Sequence, residues 1–204
     1  ALGAGYSSTN ATNADGDNLS LYFNTTEGVV FNGVSSVAIA DVEASNGVVH
    51  VVNEVIGLPT IATFATTNDA LSTLVDALSH ADTGSPTVQW IDTVYDPLAG
   101  PFTVFAPLND AFLDSESGIL AELDLTGFGE GEDELNAATT DAVLLMHVVS
   151  GNIQSSDLPN GTVSTLGGDI TANNTDFTLT DSRDRVSNII TSVVNIQAVN
   201  GVVH

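Results

Sequence analysis

The chain has no cysteine and no lysine, and its only permanent cations are Arg183 and Arg185. Without cysteine there is no disulfide framework, no thiolate nucleophile and no sulfur-ligated metal site. Without lysine there is no phosphate loop of the Gly-x4-Gly-Lys type. The sequence also has no Gly-x-Ser-x-Gly elbow, so nothing supports nucleophilic hydrolysis. No run approaches eighteen consecutive apolar residues, which predicts no membrane-spanning helix. Residues 1–20 have neither the basic start nor the apolar run of a signal peptide; if the protein is exported, its signal has been removed or lies outside these residues.

What the chain has in excess is acid: 26 Asp and Glu against two Arg give a net charge of −24 over 204 residues. Such a field repels nucleic acid and anionic membrane surfaces. It reads either as adaptation to a salty environment that screens it, or as binding of divalent cations between acidic surfaces. A hydrophobic fraction of 43% is too high for wholesale disorder, and the length suits one large domain or two small ones with a real core.

Residues 1–58 predict strands and turns throughout. Asn13–Asn18 is a polar turn cluster, Glu27-Gly28 and Asn32-Gly33 are hairpin signals, and two β-branched runs, Val34–Val42 and Val48–Ile56, flank Asn46-Gly47. After Gly57-Leu58-Pro59 the period changes. A helix capped near Asn68 places Leu71, Leu74, Val75 and Leu78 on one face, and Glu134–Val149 predicts the best helix, with Leu135, Ala138, Ala142, Leu145, Met146 and Val149 inward. Thr87–Tyr95, with Trp90, reads as strand-like or irregular. A short helical piece is expected within Asp114–Leu125, and strands and turns again from Thr162 onward.

An internal repeat divides the chain. DVEASNGVVH, Asp41 to His50, matches NIQAVNGVVH, Asn195 to His204, at a constant offset of 154 residues. One module then measures roughly 150 residues. Residues 1–58 become the β tail of one module and residues 60–204 most of the next. A β half without helices would expose an apolar sheet face. The expectation is a window on a longer tandem array, or a neighbouring chain that supplies the missing parts.

Four histidines are the only candidates for general base work near neutral pH. His50 and His204 occupy equivalent repeat positions and read as structural, and His80 sits at a helix end. Calcium is the one candidate cofactor: Asp15 and Asp17, and Glu130, Glu132 and Asp133, place hard oxygen ligands in loops, although neither run spells an EF-hand. Asn10, Asn18, Asn24, Asn160 and Asn173 each open an Asn-x-Ser/Thr sequon, which points to an extracellular address. No carboxylate pair stands out among 26 acids, and the chain does not read as an enzyme.

The stretch GPFTVFAPLNDAF, Gly100 to Phe112, compresses a strand, a turn and a short helix start into thirteen residues, with Phe105 and Phe112 buried. It resembles the first signature of the fasciclin-type adhesion domain. LLMHVVSGNIQSSDLPNGT, Leu144 to Thr162, is similar to that family's central helix end, and NIQAVNGVVH to its closing signature. The resemblance implies an α+β fold, a wedge-shaped β-sandwich with helices on one side, here in tandem. It implies that His147 bonds to Asn109 and Asp110 in a mainly structural site linked to receptor binding, with Met146 where the family has tyrosine. It also implies an extracellular or surface protein acting through cell-surface or matrix proteins, glycans, adjacent modules or other copies of itself. The alternative is a filament subunit completed by strand or domain exchange between neighbours.

Overall fold

The computed structural model describes residues 3–26 and 28–204. The first 52 residues contribute five strands in chain order: β1 (Gly5–Thr12), β2 (Asn18–Asn24), β3 (Val30–Phe31), β4 (Ser35–Ala44) and β5 (Gly47–Val52). They form one antiparallel sheet in the order β1-β2-β3-β4-β5. Side-chain amides make its turns. Asn13 Oδ1 accepts the N–H groups of Asp15 and Asp17 and folds the polar cluster between β1 and β2. Asn32, at φ 46°, accepts the Tyr22 N–H through Oδ1 and donates its own N–H to the Tyr22 carbonyl. The hairpin signal at Glu27-Gly28 falls partly on Glu27, outside the described residues.

The helices begin after Pro59. Thr60 opens α1 (Ile61–Thr67) with a capping box, Thr60 Oγ1 accepting from Thr63 N–H and Thr63 Oγ1 from Thr60 N–H. Asn68 Oδ1 then caps a 3-10 turn that runs straight into α2 (Ser72–Asp82). Leu71, Leu74 and Leu78 are buried as their spacing predicts. The region read as strand-like is helix α3 (Trp90–Tyr95). Asp82 accounts for the difference, because its two carboxylate oxygens accept the N–H groups of Trp90 and Ile91 at 2.8 Å each and so start that helix.

The chain continues through β6 (Phe102–Val104), α4 (Asn109–Leu113), α5 (Ile119–Glu122), β7 (Gly127–Phe128) and β8 (Glu134–Leu135) to α6 (Ala137–Leu145). The helix expected over Glu134–Val149 is therefore shorter at both ends. Asn136 caps it by accepting from Thr139 N–H, and its last residues become strand β9 (Val148–Ser150). Its inward face is shifted as well: Ala137, Thr140, Asp141, Leu144 and Leu145 are buried, while Ala138 and Ala142 are exposed. Asp141 sets this rotation by accepting the Trp90 indole N–H at 2.7 Å and the Thr87 N–H at 3.0 Å. A buried carboxylate with two donors competes well with the small apolar surface of an alanine.

Strands β10 (Gly161–Thr165), β11 (Gly168–Asn173), β12 (Thr178–Thr180) and β13 (Val186–Asn188) form a second antiparallel sheet. The third, in the order β14-β15-β6-β9, joins β14 (Ile196–Ala198) and β15 (Gly201–Val203) to the signature strand, with β15 parallel to β6. The main core lies between this sheet and the helices, around Phe64, Leu74, Leu78, Trp90, Val104 and Leu144. Phe105 faces the other way, into a smaller core with Val149, Val163 and Ile170 under the second sheet. Phe105 and Phe112 are both buried, as expected.

The two ends of the first sheet have different surroundings. Tyr22 belongs to the main core, and the Tyr6 ring lies edge-on to Phe64 with centroids 5.6 Å apart. Ser20 Oγ accepts the Gln197 N–H, tying β2 to β14. By contrast, every residue from Ile39 to Val51 is exposed.

Candidate functional site

The structure separates the residues that the sequence had grouped around His147. Its Nδ1–H donates to the Val143 carbonyl at 2.8 Å, in the last turn of α6 just before it, instead of reaching Asn109 or Asp110. Asn109 is fully engaged elsewhere. Its Oδ1 accepts from Thr73 N–H, and its Nδ2 donates to the Asp69 carbonyl and Ser72 Oγ, pinning α4 to the start of α2. Asp110 is exposed in the first turn of α4. The ring of His147 lines an apolar cavity of about 30 Å³ with Ile61, Leu74, Trp90 and Val104, room for about one water. Desolvation there lowers its pKa below 6.5, against the opposing bond to Val143, so the imidazole is neutral at pH 7.

The acidic loops are held by the protein itself. Asn152 Nδ2 donates to Asp17 Oδ2 at 2.8 Å and to Asp15 Oδ2 at 3.3 Å. Glu130 Oε1 accepts the Ala137 N–H at 3.0 Å and stands 3.9 Å from His80 Nε2. Glu132 and Asp133 are exposed beside it. Among the described residues no three His, Asp or Glu side chains converge as a metal site.

The sequon residues Asn10, Asn18 and Asn160 are exposed, and Asn24 and Asn173 are half-buried. Asn160 and Asn173 line the same open groove with Thr171 and Asp176. Asn173 Nδ2, the nitrogen a sugar would take, donates to Asp176 Oδ2.

The most informative side chains lie in the repeated segment, and the functional reading of single residues had passed over them. Asn200 is 1% exposed and makes three bonds. Its Oδ1 accepts the Ile61 N–H at the start of α1, and its Nδ2 donates to the carbonyls of Val94 and Asp96 at the end of α3. Gln197, also buried, takes an N–H from Gln154 and gives its own to the Gly201 carbonyl and Asn152 Oδ1. Gly201 lies so close to β6 that a Cβ there would collide with the Phe102 backbone.

The hairpin β4–β5 has the same pairing register without the neighbours. In β14–β15 the pairs are Ile196 with Val203, Gln197 with Val202 and Ala198 with Gly201. In β4–β5 they are Val42 with Val49, Glu43 with Val48 and Ala44 with Gly47, residue for residue. Asp41 and Asn195 both sit at φ 57°. The Asp41 N–H donates to His50 Nδ1 at 3.2 Å, and the Asn195 N–H donates to His204 Nδ1 at 3.3 Å. At His204 this leaves Nε2 to carry the proton, which it donates to the Ile153 carbonyl. The two settings then part: Val202 is fully buried and Val203 4% exposed, whereas Val48 and Val49 are 54% and 52% exposed.

The fasciclin domain profile matches this chain over residues 3–59 and 68–204. Protein sll1483 of the cyanobacterium Synechocystis is 33% identical over 147 residues, covering 71% of this chain and 69% of that protein. The uncharacterized protein sll1735 of the same organism is 29% identical over 148 residues, covering 72% of this chain and 93% of that protein.

Proposed function

This chain belongs to the fasciclin domain family, and from that premise we propose that it is an extracellular adhesion or matrix protein acting through protein–protein or protein–glycan contacts. Fasciclin domains are generally linked to adhesion and to extracellular matrix, and the family is generally non-enzymatic. One observation carries the reading on this molecule: a hairpin that exposes Ile39, Val42, Val48, Val49 and Val51 is presented on a chain that otherwise repels its neighbours through a charge of −24. Contact through that patch requires the acidic field to be screened or bridged, so adhesion strengthens with ionic strength or with divalent cations. The modules act in tandem, and many weak contacts add by multivalency.

Beads coated with the chain test this directly. They should cluster or bind cell-wall material increasingly as salt rises from about 0.05 to 1 M, over which the screening length falls several-fold. Beads carrying an equally acidic globular protein give the baseline, and adhesion no greater than that baseline across the range would remove the adhesion reading. A second reading, a filament subunit completed by strand or domain exchange, is favoured by the free edge of β5, which pairs only with β4 among the described residues.

A further inference from the structure

We infer that β5 is the docking edge for the helical half of another fasciclin module, seated on it as β6 is seated on β15. This rests on the fasciclin reading and specifies the partner that the exposed hairpin accepts.

Three residues carry the argument, each through its counterpart 154 positions on. Gly47 has no local need to be glycine: its φ lies outside the left-handed region, and a Cβ built on it meets nothing within 4 Å. A glycine there only weakens the strand. Its counterpart Gly201 is required twice over, because it sits at φ 152° and because the backbone of Phe102 lies against it. Asn46 is exposed, and its side chain holds no hydrogen bond among the described residues. Its counterpart Asn200 ties the N–H at the start of α1 to the carbonyls that close α3. Val49 and Val42 are exposed, while their counterparts Val203 and Ile196 pack in the main core.

The partner's chemistry follows from these contacts. It offers an apolar three-residue strand of the Phe-Thr-Val kind, parallel to β5, with its first residue opposite Gly47 and its third opposite Val49, in the register of Phe102–Val104 on Gly201–Val203. It also offers a free helix N-terminus and two carbonyls within reach of Asn46. This chain's own strand of that kind is already paired, with β15 on one side and β9 on the other.

A chain with a second copy of residues 60–154 joined ahead of Ala1 supplies that half in the register of the repeat. The extended protein should stay monomeric, and the amides of Val48 and His50, the counterparts of Val202 and of His204, whose N–H donates to the Val104 carbonyl, should exchange on the order of a hundredfold more slowly than in the original chain. Gly47→Val should abolish that protection, while in the original chain it shifts the melting temperature by less than about 2 °C. Fast exchange at Val48 and His50 beside a folded added segment would overturn the inference. So would failure of the added segment to fold while β1–β5 is intact. Protection of these amides in dimers of the original chain would assign the edge to pairing between two copies and overturn it too. Bead adhesion is scored separately: its loss with β5 protected removes only the adhesion reading, and an unprotected β5 with adhesion intact removes only this one.

Discussion

The hairpins β4–β5 and β14–β15 share a turn sequence, a pairing register, a backbone at φ 57° and a histidine that accepts the same N–H, yet one is exposed and the other forms part of the core. Their shared geometry shows that the ten residues fold locally into this shape without the neighbours. Their different burial shows that the energetic role of each side chain is set by what lies across from it. Asn200 anchors two helices, and Asn46 anchors nothing within the described residues; the residue type is the same.

Substitutions at paired positions should widen or collapse this contrast. The largest difference is expected between Gly201→Val and Gly47→Val. The first drives a branched side chain into the Phe102 backbone and should cost at least about 3 kcal/mol, enough to open the sheet at β15. The second should stay within about 0.5 kcal/mol in the chain alone, and urea unfolding of both variants measures the gap. Similar losses at the two positions would mean that the hairpins are not used differently.

Next comes Asn200→Ala against Asn46→Ala. Removing Asn200 takes the partner from the Ile61 N–H and the Val94 carbonyl, while the Asp96 carbonyl keeps the Ala99 N–H, a cost of about 2 kcal/mol, whereas Asn46→Ala should be silent in thermal unfolding. Val202→Ala should cost about 2 kcal/mol through the cavity it leaves, and Val48→Ala less than about 0.5 kcal/mol. Calorimetry of the four variants orders them.

The smallest effect is a pH dependence confined to the buried histidines. Desolvation lowers the pKa of both His204 and His147 below 6.5, and the carbonyl bonds to Ile153 and Val143 offset it only in part. The unfolded chain then binds these protons more readily than the folded one. Their contribution to stability is therefore complete above pH 6.5 and declines as the pH falls from there towards the lowered folded values. His204→Asn should flatten this slope in melting curves between pH 7.5 and about 5.

Much of the fold was legible in the amino-acid sequence. Strand and turn chemistry in residues 1–58, the leucine face of α2 and the signature strand β6 all follow from period and turn residues. The errors have a common origin in carboxylates and amides that bond far along the chain. Asp82 made a helix of Trp90–Tyr95, and Asp141 turned α6 so that two alanines face solvent. Hydrophobic spacing has no term for a buried acid whose donors are an indole N–H and a loop amide. The His147 grouping failed for a related reason: the Val143 carbonyl in the last turn of the preceding helix was the nearer partner. The repeat, by contrast, did mark Asn46 and Gly47, because it places them at the positions that Asn200 and Gly201 hold 154 residues on.

By itself the sequence determined where strands alternate with turns, that the surface is overwhelmingly acidic, and that ten residues occur twice, because local torsional preference, charge and composition are properties of neighbours along the chain. Only the tertiary structure decided which copy of the repeat is core and which is surface. Burial depends on whether β6 and the ends of α1 and α3 stand opposite the hairpin. That placement is fixed by contacts more than a hundred residues apart in sequence, such as Asn200 with the start of α1.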